Sequence, residues 1–185
     1  GPVPVPKEIL DEQTKPLINH RGNDYKLLLD ECTENLKKIY ATNNDLYIFT
    51  CSGTGVMEAS ISNFLSENDE IIVASVGWVG DRFSEIANPS NIKVHNINFE
   101  LGEIININTL EEFIIANPNS KALYVTHNET STGVQNDLKD ISLLAKKYSL
   151  LYVVDGISSV ASVPCDTDEL EIDVLISASQ KGWVT

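Results

Sequence analysis

Cysteine is scarce in this sequence, and so is positive charge. Three cysteines, Cys32, Cys51 and Cys165, stand far apart in 185 residues. Their odd number and wide spacing argue against a disulfide framework or a zinc site and point to a reducing, cytoplasmic compartment. Lysine and arginine number 13 against 27 aspartates and glutamates, for a formal net charge of -14. So acidic a chain is repelled by nucleic acid and by anionic membrane surfaces, and neither is expected as a partner. A small anion is a different case, because helix dipoles and a single lysine can hold it locally. No apolar run is long enough to cross a bilayer, and no basic-then-apolar leader is present. The opening Gly1-Pro2, without methionine, reads as a processed, tagged or excised chain. Internal repeats and low-complexity stretches are also missing. What remains is 42% hydrophobic and 22% charged, an ordinary balance for a globular α/β protein with a sizeable core.

Periodicity supplies the architecture. Residues 1–6 alternate proline with valine and glycine and read as an extended arm. A short helix is expected over 7–15, stopped before Pro16, and a longer one capped by Asp24, with Tyr25, Leu28, Cys32, Leu36 and Ile39 at helical spacing. From Leu46 onward short apolar runs alternate with helical patterns. Strands are expected at 46–49, 70–74, 92–97, 121–126, 150–154 and 173–176, with helices at 56–66, 81–87, 109–116 and 138–148 between them. This alternation predicts a mostly parallel sheet with helices on both faces.

The chemistry-bearing groups gather at the carboxyl ends of those strands, where open α/β sheets bind ligands. Cys51-Ser52-Gly53-Thr54-Gly55 follows the first run and opens a helix. It suits either a phosphate cradle of free N–H groups or a plain capped turn; it is neither a P-loop nor Gly-x-Gly-x-x-Gly. Thr126 to Gly133 is a dense polar loop, more than a connection needs. Asp155 ends the run Leu151-Tyr152-Val153-Val154, where a carboxylate requires a partner. That partner could be a structural donor, a metal or a protonated ring nitrogen; no second ligand stands at metal spacing. Lys181 lies just past the last strand among small residues, either as a solvated loop residue or as an amine placed to meet a carbonyl carbon beside a flat ring.

Taken in order, these segments resemble the class V aminotransferases, pyridoxal-phosphate enzymes of fold type I, and are most similar to the alanine–glyoxylate and serine–pyruvate branch. The resemblance rests on the opening arm, Asn19-His20-Arg21, Ser52-Gly53-Thr54-Gly55, Gly80-Asp81-Arg82, Asn128 to Val134, Asp155-Gly156-Ile157-Ser158-Ser159, and Asp173-Val174 with Ser179-Gln180-Lys181. It implies that residues 1–22 form an arm and short helix and residues 23–185 the cofactor-binding large domain. It also implies that the last strand of that domain and the small domain, with its carboxylate-binding arginine, are absent. The implied cofactor is pyridoxal 5'-phosphate. Lys181 would bind it covalently and move the proton, and Asp155 would face its ring nitrogen. Thr54, Gly55 and Val56 would hold the phosphate with Gln180 beside them, and Thr130 would meet the phenolate side. Glu129 would serve the loop's structure. Val79 occupies the position of an aromatic that stacks on the ring, with Trp78 one residue earlier; a histidine there would have pointed to a cysteine desulfurase. The resemblance further implies an amino-acid and a 2-oxo-acid substrate and a homodimer. It leaves open a non-catalytic truncated domain or another class V activity, such as a phosphonate transaminase or lyase. The 185 residues by themselves are expected to be inactive.

Overall fold

The structure, a computed structural model, describes residues 3–185. The arm reading therefore falls partly outside the described residues; residues 3–6 are neither helix nor strand. In chain order come α1 (Lys7–Glu12), α2 (Asn23–Tyr40), α3 (Gly53–Phe64), β1 (Glu70–Ser75), α4 (Trp78–Ala87), β2 (Lys93–Asn98), α5 (Ile107–Ala116), β3 (Ser120–Thr126), β4 (Asn128–Glu129), β5 (Val134–Gln135), α6 (Leu138–Lys147), β6 (Leu151–Asp155) and β7 (Val174–Ile176). Five strands form one sheet in the order β2-β1-β3-β6-β7, and every neighbouring pair is parallel.

Side-chain alternation divides the core in two. Ile71, Val73, Ala122, Tyr124 and Val153 pack with Met57 and Ile61 of α3 and Phe83 and Ala87 of α4. Ile72, Ala74, Leu123, Val125, Tyr152 and Val154 pack with Leu110 and Ile114 of α5 and Ile141 and Leu144 of α6. Successive residues of a strand face opposite ways, so both faces of these strands read as apolar. Tyr124 and Phe83 meet as a tilted ring pair, centroids 4.9 Å apart, and the buried Tyr124 hydroxyl donates to the Ser60 carbonyl at 3.1 Å. By the same alternation Asp155, two residues after Val153, lies on the face of α3 and α4.

Four sequence expectations are corrected. Residues 46–49 form no strand: among the described residues no strand pairs with them, and Tyr47, Ile48 and Phe49 are exposed. β-propensity without a ladder partner leaves the backbone bonds unmade. Gly22, not Asp24, is the N-cap of α2, with Asp24 inside the first turn, where its charge favours the helix dipole. Helices α3 and α4 begin three residues earlier than their apolar periodicity suggested, at Gly53 and Trp78. The polar loop after β3 is a small antiparallel hairpin, β4 against β5.

Candidate active site

The loops at the carboxyl ends of the strands converge at the β6–β7 side of the sheet. Ser52 caps α3, its hydroxyl and carbonyl both accepting from the Gly55 N–H. The Val56 N–H also donates to the Ser52 carbonyl, at 3.3 Å. Thr54 is exposed on the first turn, and the helix N-terminus presents the positive end of its dipole. A Cβ on Gly53 would lie 2.9 Å from Ile157 and 3.6 Å from Ala178, so this turn is packed against the loops that follow β6 and β7. A Cβ on Gly55 would lie 2.8 Å from Cys51, so the turn closes only with glycine there.

Asp155 is 2% exposed. Its Oδ1 accepts from the Ile157 N–H at 2.8 Å, while Oδ2 is buried with no partner among the described residues. Burial pushes its pKa up from 3.8 to about 6; the Ile157 N–H pulls it down, the negative charge of Glu129 pushes it up, and the Lys181 ammonium pulls it down. Lys181 lies in the loop that follows β7, whose Ile176 is the register partner of Asp155. Lys181 and Gln180 are half-buried. Thr130 is exposed, and its hydroxyl meets that of Ser158 at 2.6 Å, tying the hairpin to the loop after β6. Thr126, the register partner of Asp155 on β3, and Ser159 also have buried hydroxyls without partners.

Glu129 does more than shape its loop. It is fully buried, and its carboxylate accepts from the N–H groups of Val79 and Gly80 at 3.1 Å, and from the N–H and hydroxyl of Ser131 at 3.0 and 2.7 Å. It therefore caps α4 from another element, as a negative charge at a helix N-terminus should. The distance in sequence hides this: no local pattern marks a cap supplied fifty residues away. Val79 is half-buried beside that cap, whereas Trp78 is 66% exposed. Ser158 was likewise invisible as a partner for Thr130.

Two other features stay outside the site. A shallow concavity of about 620 Å³, lined by Phe64, Lys121, Leu150 and Asp173 among others, lies at the amino ends of β3 and β6. It is at the opposite end of the strands from the convergent polar groups, so chemistry outweighs concavity in locating the site. Among the described residues no three His, Cys, Asp or Glu side chains gather as metal ligands, and no helix is long and apolar enough to cross a membrane.

A sheet built this way, with polar groups drawn to one set of strand ends, defines a parallel α/β domain whose ligand site lies at the carboxyl edge of the sheet. The aminotransferase class-V family model matches residues 11–184, and the chain belongs to that family. It is 36% identical over 181 residues to an uncharacterized aminotransferase of Methanocaldococcus jannaschii, covering 98% of this chain and 47% of that protein. Identity to the L-aspartate–glyoxylate aminotransferase of Paracoccus denitrificans is 31% over 189 residues, covering 100% of this chain and 48% of the relative. The crystal structure of an alanine–glyoxylate aminotransferase from Nostoc sp. superposes with a TM-score of 0.95 at 28% identity, over 100% of this chain and 49% of that one. The chain thus spans about half the length of the relatives it matches.

The family implies pyridoxal phosphate, and the residues present fit it. A protonated ring nitrogen is a donor, and the buried, unpartnered Oδ2 of Asp155 is the acceptor it needs. The α3 N-terminus offers the partial positive charge that a phosphate needs.

Proposed function

We propose that this chain is the cofactor-binding part of a pyridoxal-phosphate-dependent aminotransferase. The enzyme would move an amino group between alanine or serine and a 2-oxo acid, glyoxylate or pyruvate. The observation that carries the reading is Asp155: a buried carboxylate with one oxygen satisfied and the other without a partner, at the end of the strand that pairs with β7, whose following loop carries Lys181. Most buried carboxylate oxygens are bonded to protein or to water, so the free Oδ2 is a natural acceptor for an incoming donor.

When bound, pyridoxal phosphate supplies an electron sink for negative charge that develops at the Cα of the amino acid. The chain's own residues do the rest. The ionised Oδ2 of Asp155 would accept the ring N–H and keep the proton on that nitrogen. The amine of Lys181 would hold the cofactor and would serve as the base that takes the proton from Cα. Thr54, Gly55 and Val56 present the α3 N-terminus to the phosphate, with Gln180 beside it. Thr130, tied to Ser158, would meet the ring's phenolate side, and Val79 would cover its face.

In this reading residues 1–22 are an arm and short helix and residues 23–185 the cofactor domain. A homodimer in the cytoplasm is part of the same proposal. Its support is α2, which buries none of its residues and leaves Leu27, Leu28 and Ile39 at least half exposed. Turnover is assigned to the longer polypeptide, since the matched relatives are about twice this length.

The test is chemical. The protein is incubated with pyridoxal phosphate, reduced with borohydride and digested, and the pyridoxyl group is located by peptide mapping. The label is expected on Lys181; label on Lys121 or Lys146 instead refutes the assignment.

A further inference from the structure

Two anchors directly follow Lys181. Gly182 is pressed against the turn that follows Asp155: a Cβ there would lie 2.8 Å from the Val160 carbonyl oxygen, and that turn is closed by Val160 N–H donating to the Gly156 carbonyl at 2.9 Å. Next to it, Trp183 folds back across the loop. Its indole N–H donates to the Ser177 hydroxyl at 2.9 Å, joining the residue after β7 to the second residue after the lysine. The indole ring lies against Tyr40, the last residue of α2, with centroids 5.5 Å apart and a 36° tilt. Burial pushes the Tyr40 hydroxyl's pKa up, and the neighbouring Ser177 hydroxyl draws it part of the way back. Tyr40 is itself held, its carbonyl accepting from the N–H and hydroxyl of Thr167. Inside the closed loop, Val184 N–H donates to the Lys181 carbonyl at 3.0 Å and Thr185 N–H to the Ser179 carbonyl at 3.2 Å.

We propose that Trp183 is a positioning residue for Lys181. Its N–H bond to Ser177, backed by the Tyr40 ring, closes the lysine loop so that the amine emerges at one place beside Asp155. The inference rests on the reading of Lys181 as the cofactor-binding lysine. The reasoning is entropic. A lysine side chain has four rotatable bonds, and a mobile main chain beneath it would multiply the positions its amine can occupy. Fixing the main chain at Gly182 and Trp183 leaves only the side chain to be ordered when the amine engages a ligand. Catalytic groups need this support, because small displacements of the reacting atom cost much of the rate.

The experiment uses the whole protein that contains this chain, prepared free of cofactor. Trp183→Phe keeps an aromatic ring against Tyr40 and removes the donor; Ser177→Ala removes the acceptor; the double variant removes both. The rate at which borohydride-stable pyridoxyl label accumulates on Lys181 is followed at limiting pyridoxal phosphate, with a thermal melt of each variant alongside. Each single change is expected to slow labelling about three- to tenfold, the factor that one net hydrogen bond amounts to. The double variant should be no slower than the slower single, because both changes break one bond, and the melting midpoints should stay together. Labelling at the wild-type rate in both single variants overturns the inference. So does a double variant in which the two effects multiply, or slowing that only follows a lowered melting midpoint. Wild-type protein that takes no label on Lys181 refutes the cofactor assignment itself, and the inference falls with it.

Discussion

Replacing Asp155 with asparagine should move stability and cofactor binding in opposite directions. The side chain is buried and its carboxyl titrates near 6 in the folded chain rather than 3.8. Well below pH 3.8 the acid is neutral in folded and unfolded chains alike. As pH rises the unfolded chain ionises first, and the folded one only near 6, so the fold loses stability across that interval and the loss is complete above it. At about 1.4 kcal/mol per pH unit, the move from 3.8 to about 6 amounts to roughly 3 kcal/mol. Asparagine keeps an oxygen for the Ile157 N–H and carries no charge, so the cofactor-free Asp155→Asn protein should escape this loss. Other carboxylates, such as Asp69 held low by Lys121, add their own pH dependence, but they cancel in the comparison of wild type with variant. The assay is urea unfolding of the cofactor-free proteins from pH 4 to 8. The stability difference should favour the variant increasingly from pH 4 to 6 and stay level beyond. Pyridoxal phosphate binding, measured by absorbance titration at pH 8, should weaken about tenfold to a hundredfold, the range for losing one hydrogen bond to a charged group. A variant that is no more stable than wild type at pH 8, or that binds cofactor as tightly, refutes the reasoning.

Three further outcomes are expected. Asp155→Ala should lower the single-turnover rate by at least about a hundredfold, as deleting one placed electrostatic group does; a rate within a few-fold of wild type makes Asp155 structural. Glu129→Ala should cost about 2–4 kcal/mol of unfolding free energy by urea titration, since buried donors at the α4 N-terminus lose their acceptor; a change under about 1 kcal/mol contradicts the cap. Gly77→Ala should destabilise by about 1–3 kcal/mol, because the new Cβ would stand 2.7 Å from Glu129 and from Ser131. Unchanged urea midpoints for Gly77→Ala would mean that the cap yields without strain.

The order of strands and helices was legible because each apolar run is short, both faces of the sheet are covered, and turn residues separate the runs. Lys181, Asp155 and the Ser52-Gly53-Thr54-Gly55 turn were legible as candidates for one further reason: each lies at the end of a strand-like run or within a few residues of it. The run at 46–49 misled, because its composition satisfies β-propensity while pairing depends on a neighbour that a local reading cannot supply. Contacts between distant segments were out of reach for the same reason. Glu129 reaches Val79 and Gly80, and Thr130 reaches Ser158, only because parallel strands bring their following loops side by side, and Tyr40 at the end of α2 meets Trp183 across the fold.

Two buried carboxylates at neighbouring strand ends separate support from function. Glu129 is surrounded by donors from α4 and its own loop, so its charge is fully answered within the chain. Removing it should damage the fold first and the site second. Asp155 is answered at one oxygen only, and its raised pKa records the cost of leaving the other without a partner. That cost persists in the cofactor-free fold and is relieved when a cationic donor arrives, so binding energy and stability are linked through a single atom. The linkage has a sign that can be measured. Below pH 6 the free carboxyl is largely protonated, and a ligand that brings its own N–H must displace that proton. Cofactor binding should therefore release a proton at pH 5 and release less at pH 8, a difference that calorimetry in buffers of unlike ionisation heat will register. Equal proton release at both values would place the cofactor's ring nitrogen away from Asp155.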